Sequence, residues 1–125
     1  LNNDGFIYQT VHSHYTHVLG WKTDPPHSVR VPADVGEFNV YGVEILPDRI
    51  VFSMNGNATM TYPRLSPDGF PSESQYPFGS PFYILLDMQI GGSWVGPPDA
   101  SDLPVEMYVD WIKVYTLDVM KQNGQ

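Results

Sequence analysis

A chain of 125 residues is long enough for one domain with its own core. A hydrophobic fraction of 42% and a charged fraction of 16% exclude disorder, and the absence of cysteine excludes disulfide scaffolds and thiolate metal sites. A formal net charge of -8 with only 6 Lys and Arg argues against nucleic acid and anionic membrane as partners, and leaves a neutral polymer open.

Twelve prolines and eleven glycines suit many turns between short strands better than a helical bundle. No apolar run approaches the length of a membrane span, and no signal-peptide pattern is present. Starting at Leu1 without a methionine, the chain is expected to have been processed or cut from something longer.

Leu1 to Gly5 is turn-like. Phe6 to Tyr15 alternates, with Phe6, Tyr8, Thr10, His12 and His14 on one face and Ile7, Gln9, Val11 and Ser13 on the other. That predicts a strand with an aromatic and histidine face. Two strand histidines two apart, with His17 nearby, raise a metal-binding reading, but no Asp or Glu follows closely to complete a set. Hydrogen-bonding or solvated histidines are the plainer alternative. Val18 to Gly36 has no period and reads as a long loop, either functional or a surface excursion. Glu37 to Leu46 is a second strand, and Pro47-Asp48 turns it into Arg49 to Asn55. Asn55-Gly56 signals a tight hairpin, because both residues tolerate positive φ, and Ala58 to Tyr62 returns antiparallel. Pro63 to Pro81 is rich in Ser, Pro and Gly and reads as a loop.

Phe82 to Ile90 is a short apolar run stopped by Gly91-Gly92, which predicts a buried strand. Asp87 and Gln89 interrupt it, two apart and therefore on one face. Trp94 stands just beyond the glycines. A carboxylate, an amide and an indole together suit a sugar: hydroxyls take the hydrogen bonds and the ring takes the apolar sugar face. A core tryptophan under a turn, with Asp87 tying down a loop, is the competing account. Val105 to Thr116 is a long final strand and 118–125 a frayed tail. The fold class is all-β and antiparallel, a sandwich.

Three stretches then resemble the family-16 glycoside hydrolases, in the right order. They are Asn39-Val40-Tyr41-Gly42-Val43-Glu44 with Pro47-Asp48-Arg49-Ile50 and the Asn55-Gly56 hairpin, Phe82 to Leu86 with Gly91-Gly92-Ser93-Trp94, and Met107 to Tyr115. The laminarinase and mixed-linkage β-glucanase branches are the most similar. The resemblance implies a concanavalin-like β-jelly-roll whose concave sheet holds a polysaccharide, with residues 1–117 as its C-terminal half and only part of the full domain. The family's catalytic signature, Glu-x-Asp-x-x-Glu, is missing from this sequence. By the resemblance, that signature lies just upstream of the strand near Tyr8 to His14.

The implied activity is retaining endo-hydrolysis of β-glucan, with acid and nucleophile upstream of Leu1. The implied substrate contacts are Thr10 and His12 beside the catalytic strand, Asp87 and Gln89 on the later strand, and Trp94 in the cleft wall. Relatives often carry Asn or an aromatic where Asp87 and Gln89 stand. Asp110 matches a position that binds structural calcium in many relatives, or is a plain edge carboxylate; the chemistry itself requires no cofactor. Expected partners are β-glucan and either the missing N-terminal half or a swapped copy of this chain. The parent is expected to be secreted, periplasmic or on the cell surface. Two other readings remain: a lectin-like jelly roll that binds glucan without cutting it, and a metal-dependent cupin using His12 and His14.

Overall fold

The computed structural model describes residues 5–65 and 72–117; the tail read at 118–125 lies outside them. Contacts divide the chain into two compact units at Ile84/Leu85.

The first unit holds five strands: β1 (Phe6–Thr10), β2 (Ser28–Pro32), β3 (Tyr41–Ile45), β4 (Arg49–Met54) and β5 (Asn57–Pro63). All pairings are antiparallel. β1 pairs β2, with Phe6 opposite Pro32 and Thr10 opposite Ser28. β3, β4 and β5 form a meander. The fold is thus all-β and antiparallel, with two sheets and no closed barrel among the described residues. A one-turn helix α1 (Ser72–Gln75) and a π-helical turn (His14–Val18) are the only helical pieces described in this unit.

The hairpin at Asn55-Gly56 has the expected geometry, φ 51° and 81°. Only the mirror-image turn matches the strands' right-handed twist, which is why Asn and Gly stand there. Asn55 also accepts from the Val40 N–H at 2.8 Å through its side chain, which fixes the approach to β3.

The two sheets meet over Val11, Ile50, Tyr62 and Tyr76, with Phe52, Met60 and Phe78 against them. Burying a large side chain of this kind stabilises the fold by about 1.5–3 kcal/mol. Tyr76 closes the cluster by donating its hydroxyl to Leu46 O at 2.6 Å. Gln75, fully buried, accepts from Leu65 N (3.0 Å) and donates to Pro63 O (2.9 Å), so α1 is held by a satisfied amide.

A buried polar bridge joins the sheets as well. The β4–β5 register shifts between Phe52 and Ser53, leaving Thr59 as the extra residue of a bulge. Gln9 of β1 reaches this irregularity: its Nε2 donates to Ser53 O at 2.9 Å, and its Oε1 accepts from the Thr59 hydroxyl. The alternation read from the sequence is therefore real, with Gln9, Val11 and Ser13 facing inward.

Three expectations change. The 18–36 loop contains β2; its prolines broke the period, and pairing with β1 supplied what local sequence did not. The strand read over Phe6 to Tyr15 ends at Thr10, because Ser13 and Thr16 cap a helical turn. The strands expected over 82–90 and 105–116 are not formed, and no ladder partner for them exists among the described residues. A strand's hydrogen bonds all go to its neighbours, so an apolar alternating stretch cannot be one alone. Tyr83 is 85% exposed and Tyr115 80%.

Gln9→Leu leaves Ser53 O and the Thr59 hydroxyl without their partner, and should cost about 1–3 kcal/mol. Gln9→Glu should cost at least as much, because a carboxylate cannot donate to a carbonyl. Urea unfolding midpoints of the whole protein that carries this chain, compared at equal slope, measure both; unchanged midpoints would mean that the bridge carries no net energy.

Candidate functional site

The chain leaves β1 through Val11, whose N–H donates to His27 O at 2.7 Å and extends the β1–β2 ladder by one bond. Ser13 then caps the π-helical turn: its hydroxyl accepts from Thr16 N at 3.3 Å, while Ser13 N donates to Thr16 Oγ1 at 3.0 Å. The Thr16 hydroxyl is fully buried and donates to Val11 O at 3.1 Å. Tyr15 points inward too; it donates to Asp24 O at 3.2 Å and stacks on Trp21, with centroids 6.1 Å apart. With Tyr15 and Thr16 committed to the interior, His12, His14 and His17 are left at the surface. They line an open depression of about 390 Å³ together with Ser13 and Val18.

Within it, the His12 and His17 rings meet edge to face, centroids 5.9 Å apart. Burial, followed by the nearby His17, His27 and Lys22, lowers the proton affinity of His12 below its usual value. His27 is oriented by its Nδ1 against Lys22 O at 3.0 Å. His14 opens the helical turn rather than continuing the strand, so the two-apart strand pair of the cupin reading is not formed. No group of three or more His, Asp or Glu side chains positioned for a metal exists among the described residues. Thr10 points its hydroxyl to Ser28 Oγ at 2.7 Å. Sequence reasoning grouped His12 with His14 and His17 in a metal reading, but did not connect it with His27 and Lys22, which lower its proton affinity. The Ser13–Thr16 capping pair was the available signal.

The second unit carries the other candidates. Gln89 Nε2 donates to Asp87 Oδ2 at 2.7 Å, so this pair does share a face, exposed. Gly91 (φ 74°) and Gly92 (φ 124°) turn the chain, and Gly96 N closes the loop on Gly92 O at 2.8 Å. A side chain at Gly91 would also crowd Pro98 Cδ at 3.3 Å. This tight loop presents Trp94, 76% exposed. After it, Asp99 caps a one-turn 3-10 helix (Ala100–Asp102), accepting from Ser101 N (2.8 Å) and Ser101 Oγ (2.7 Å). Those two hydrogen bonds hold its carboxyl below the usual range. Asp110 is exposed. A calcium shell takes six to eight oxygens, and the described carboxylates supply no such grouping around it.

No family model matches the chain. It is similar to a keratan-sulfate endo-1,4-beta-galactosidase of Sphingobacterium multivorum, 33% identical over 99% of this chain and 28% of the relative. It is similar to a beta-glucanase of Rhodothermus marinus, 31% identical over 90% of this chain and 40% of the relative. An endo-1,3-1,4-beta-glycanase of Rhizobium meliloti is 32% identical over 90% of this chain and 21% of the relative. The chain thus spans less than half the length of these relatives.

His12 yields a pH prediction. Its folded proton affinity is lowered, so the unfolded chain is the better proton binder just below 6.5. Its contribution to stability is therefore retained above that pH and lost as pH falls through the folded pKa. Denaturant midpoints followed from neutral to mildly acid pH should fall, and His12→Gln should flatten the descent. An unchanged slope in the variant would contradict the assignment.

Proposed function

We propose that this chain, a relative of the family-16 glycoside hydrolases, is the substrate-holding part of a retaining endo-β-glucan hydrolase whose nucleophile and proton donor lie outside these 125 residues. One observation carries the reading. The similarity to endo-acting hydrolases of β-linked polysaccharides runs along 90–99% of the chain, yet the sequence contains no Glu-x-Asp-x-x-Glu. Retaining hydrolysis needs two carboxyl groups about 5 Å apart, one attacking the sugar and one protonating the leaving oxygen.

What this chain contributes is binding and orientation. Trp94 offers an indole face to an apolar sugar face, on a loop stiffened by the Gly96–Gly92 bond. Asp87 and Gln89, hydrogen-bonded to each other, keep further acceptors and a donor for sugar hydroxyls. Thr10 and His12 stand at and just past the end of β1 and serve the same purpose there. The substrate class is laminarin-type or mixed-linkage β-glucan. A polymer of that size is met outside the cytoplasm, so the protein acts as a secreted, periplasmic or cell-surface enzyme.

The apolar segments 82–90 and 105–117 belong to the same reading. Their exposed alternating side chains and unformed ladders support pairing with strands from the rest of the protein, or from a swapped copy of this chain.

In the protein that carries this chain, Trp94→Ala should weaken β-glucan binding about two- to tenfold, the loss of about 0.5–1.5 kcal/mol of stacking. Its melting should stay close to that of the unmodified protein. Affinity electrophoresis on laminarin and barley glucan reads the first; unchanged retardation would remove Trp94 from the site. Residues 1–125 alone should release no reducing sugar and show no cooperative melting as a monomer. Turnover that disappears with Glu37→Gln or Glu44→Gln would place the chemistry inside the chain. Glucan binding without turnover by the whole protein would make it a lectin-like module instead.

A further inference from the structure

We infer that the depression after β1 is a proton-gated anion site that takes a sulfate group, either free or as an ester on a polysaccharide. The ester form rests on the glycan-binding reading above; the anion site itself does not. The chain is strongly acidic, yet its four histidines all fall between residues 12 and 27, together with Lys22. This is a local cation reserve in a molecule that otherwise repels anions.

The geometry places three of these histidines on one surface. His12, His14 and His17 line the depression. The His12 and His17 rings are 5.9 Å apart, too close for both to hold a proton without mutual repulsion. His27 is oriented by the Lys22 carbonyl. A carbonyl only accepts, so Nδ1 carries the hydrogen and Nε2 becomes a second donor when the ring is protonated. The lowered proton affinity of His12 has the same source: burial plus the positive neighbours His17, His27 and Lys22. An anion among them reverses that repulsion, so anion and protons bind together.

Charged groups on the neighbouring segments are Asp24 in the same excursion, Arg30 on β2, and Glu73 on α1, which packs on the helical turn. A resident transition metal fits less well, because no three ligands converge.

The test uses the whole protein that carries this chain and three probes: a sulfated laminari-oligosaccharide, its unsulfated parent, and inorganic sulfate against chloride at matched ionic strength. The sulfated oligosaccharide should bind about tenfold more tightly near about pH 5.5 than near about pH 8, while the unsulfated one binds independently of pH. Sulfate, but not chloride, should compete and raise the His12 pKa read from its ring-proton NMR shift. The His17→Gln/His27→Gln double variant should lose the pH-dependent part. If that variant fails to fold, exposed Lys22→Gln should reduce it. Equal binding of both oligosaccharides at both pH values, with no response of His12 to sulfate, overturns the inference and leaves the glycan reading standing. A sulfate response without binding of either oligosaccharide supports a free-anion site and sinks the glycan reading. Persistence of the full pH effect in the folded variants overturns the assignment of these residues.

Discussion

The buried carboxamide of Gln9 is the contact on which the described sheets depend. Apolar packing over Ile50 and Tyr62 is non-directional and would tolerate a slide of one sheet on the other. The amide does not tolerate it, because it has one donor aimed at Ser53 O and one acceptor receiving the Thr59 hydroxyl. Both partners sit at the bulge where β4 and β5 slip register. The bulge and the glutamine therefore explain each other: one re-aims Thr59, and the other gives the irregular backbone a buried partner. Fixing β1 in this way also fixes where Thr10 ends and where the histidine segment begins.

Much of this was legible from residues. Alternation from Phe6 to Ser13 separated the two faces, of which the structure buries Gln9, Val11 and Ser13, and Asn55-Gly56 identified the hairpin with its positive φ values. Asp87 and Gln89 were placed on one side by their spacing, and they bond to each other. Less legible was anything decided by a partner distant in sequence. β2 is flanked by prolines and exists because β1 pairs it. The segments around Leu85 and Val109 carry strand patterns but no described ladder, because pattern states what a stretch can bury and not whether a neighbour is present. The histidines His12, His14 and His17 were grouped from sequence, but their geometry was not: β1 ends at Thr10, five residues before Tyr15, and the turn capped by Ser13 and Thr16 brings them to a shared surface.

The two proposed surfaces differ in chemistry. Trp94 and the Asp87–Gln89 pair suit a neutral sugar, whose hydroxyls and apolar faces need no charge. The segment from His12 to His27 suits a charged substituent, and only when imidazoles are protonated.

The central claim is that these residues hold the polysaccharide while the reacting carboxylates lie elsewhere. A mechanism-based epoxyalkyl β-glucoside forms a covalent bond with the nucleophile of a retaining enzyme. Labelling the whole protein, digesting it and locating the modified peptide tests the claim directly. The account predicts a labelled glutamate outside the 125 residues, with labelling suppressed by laminari-oligosaccharide. A label on Glu37, Glu44, Glu73, Glu106 or any aspartate of this chain would contradict it.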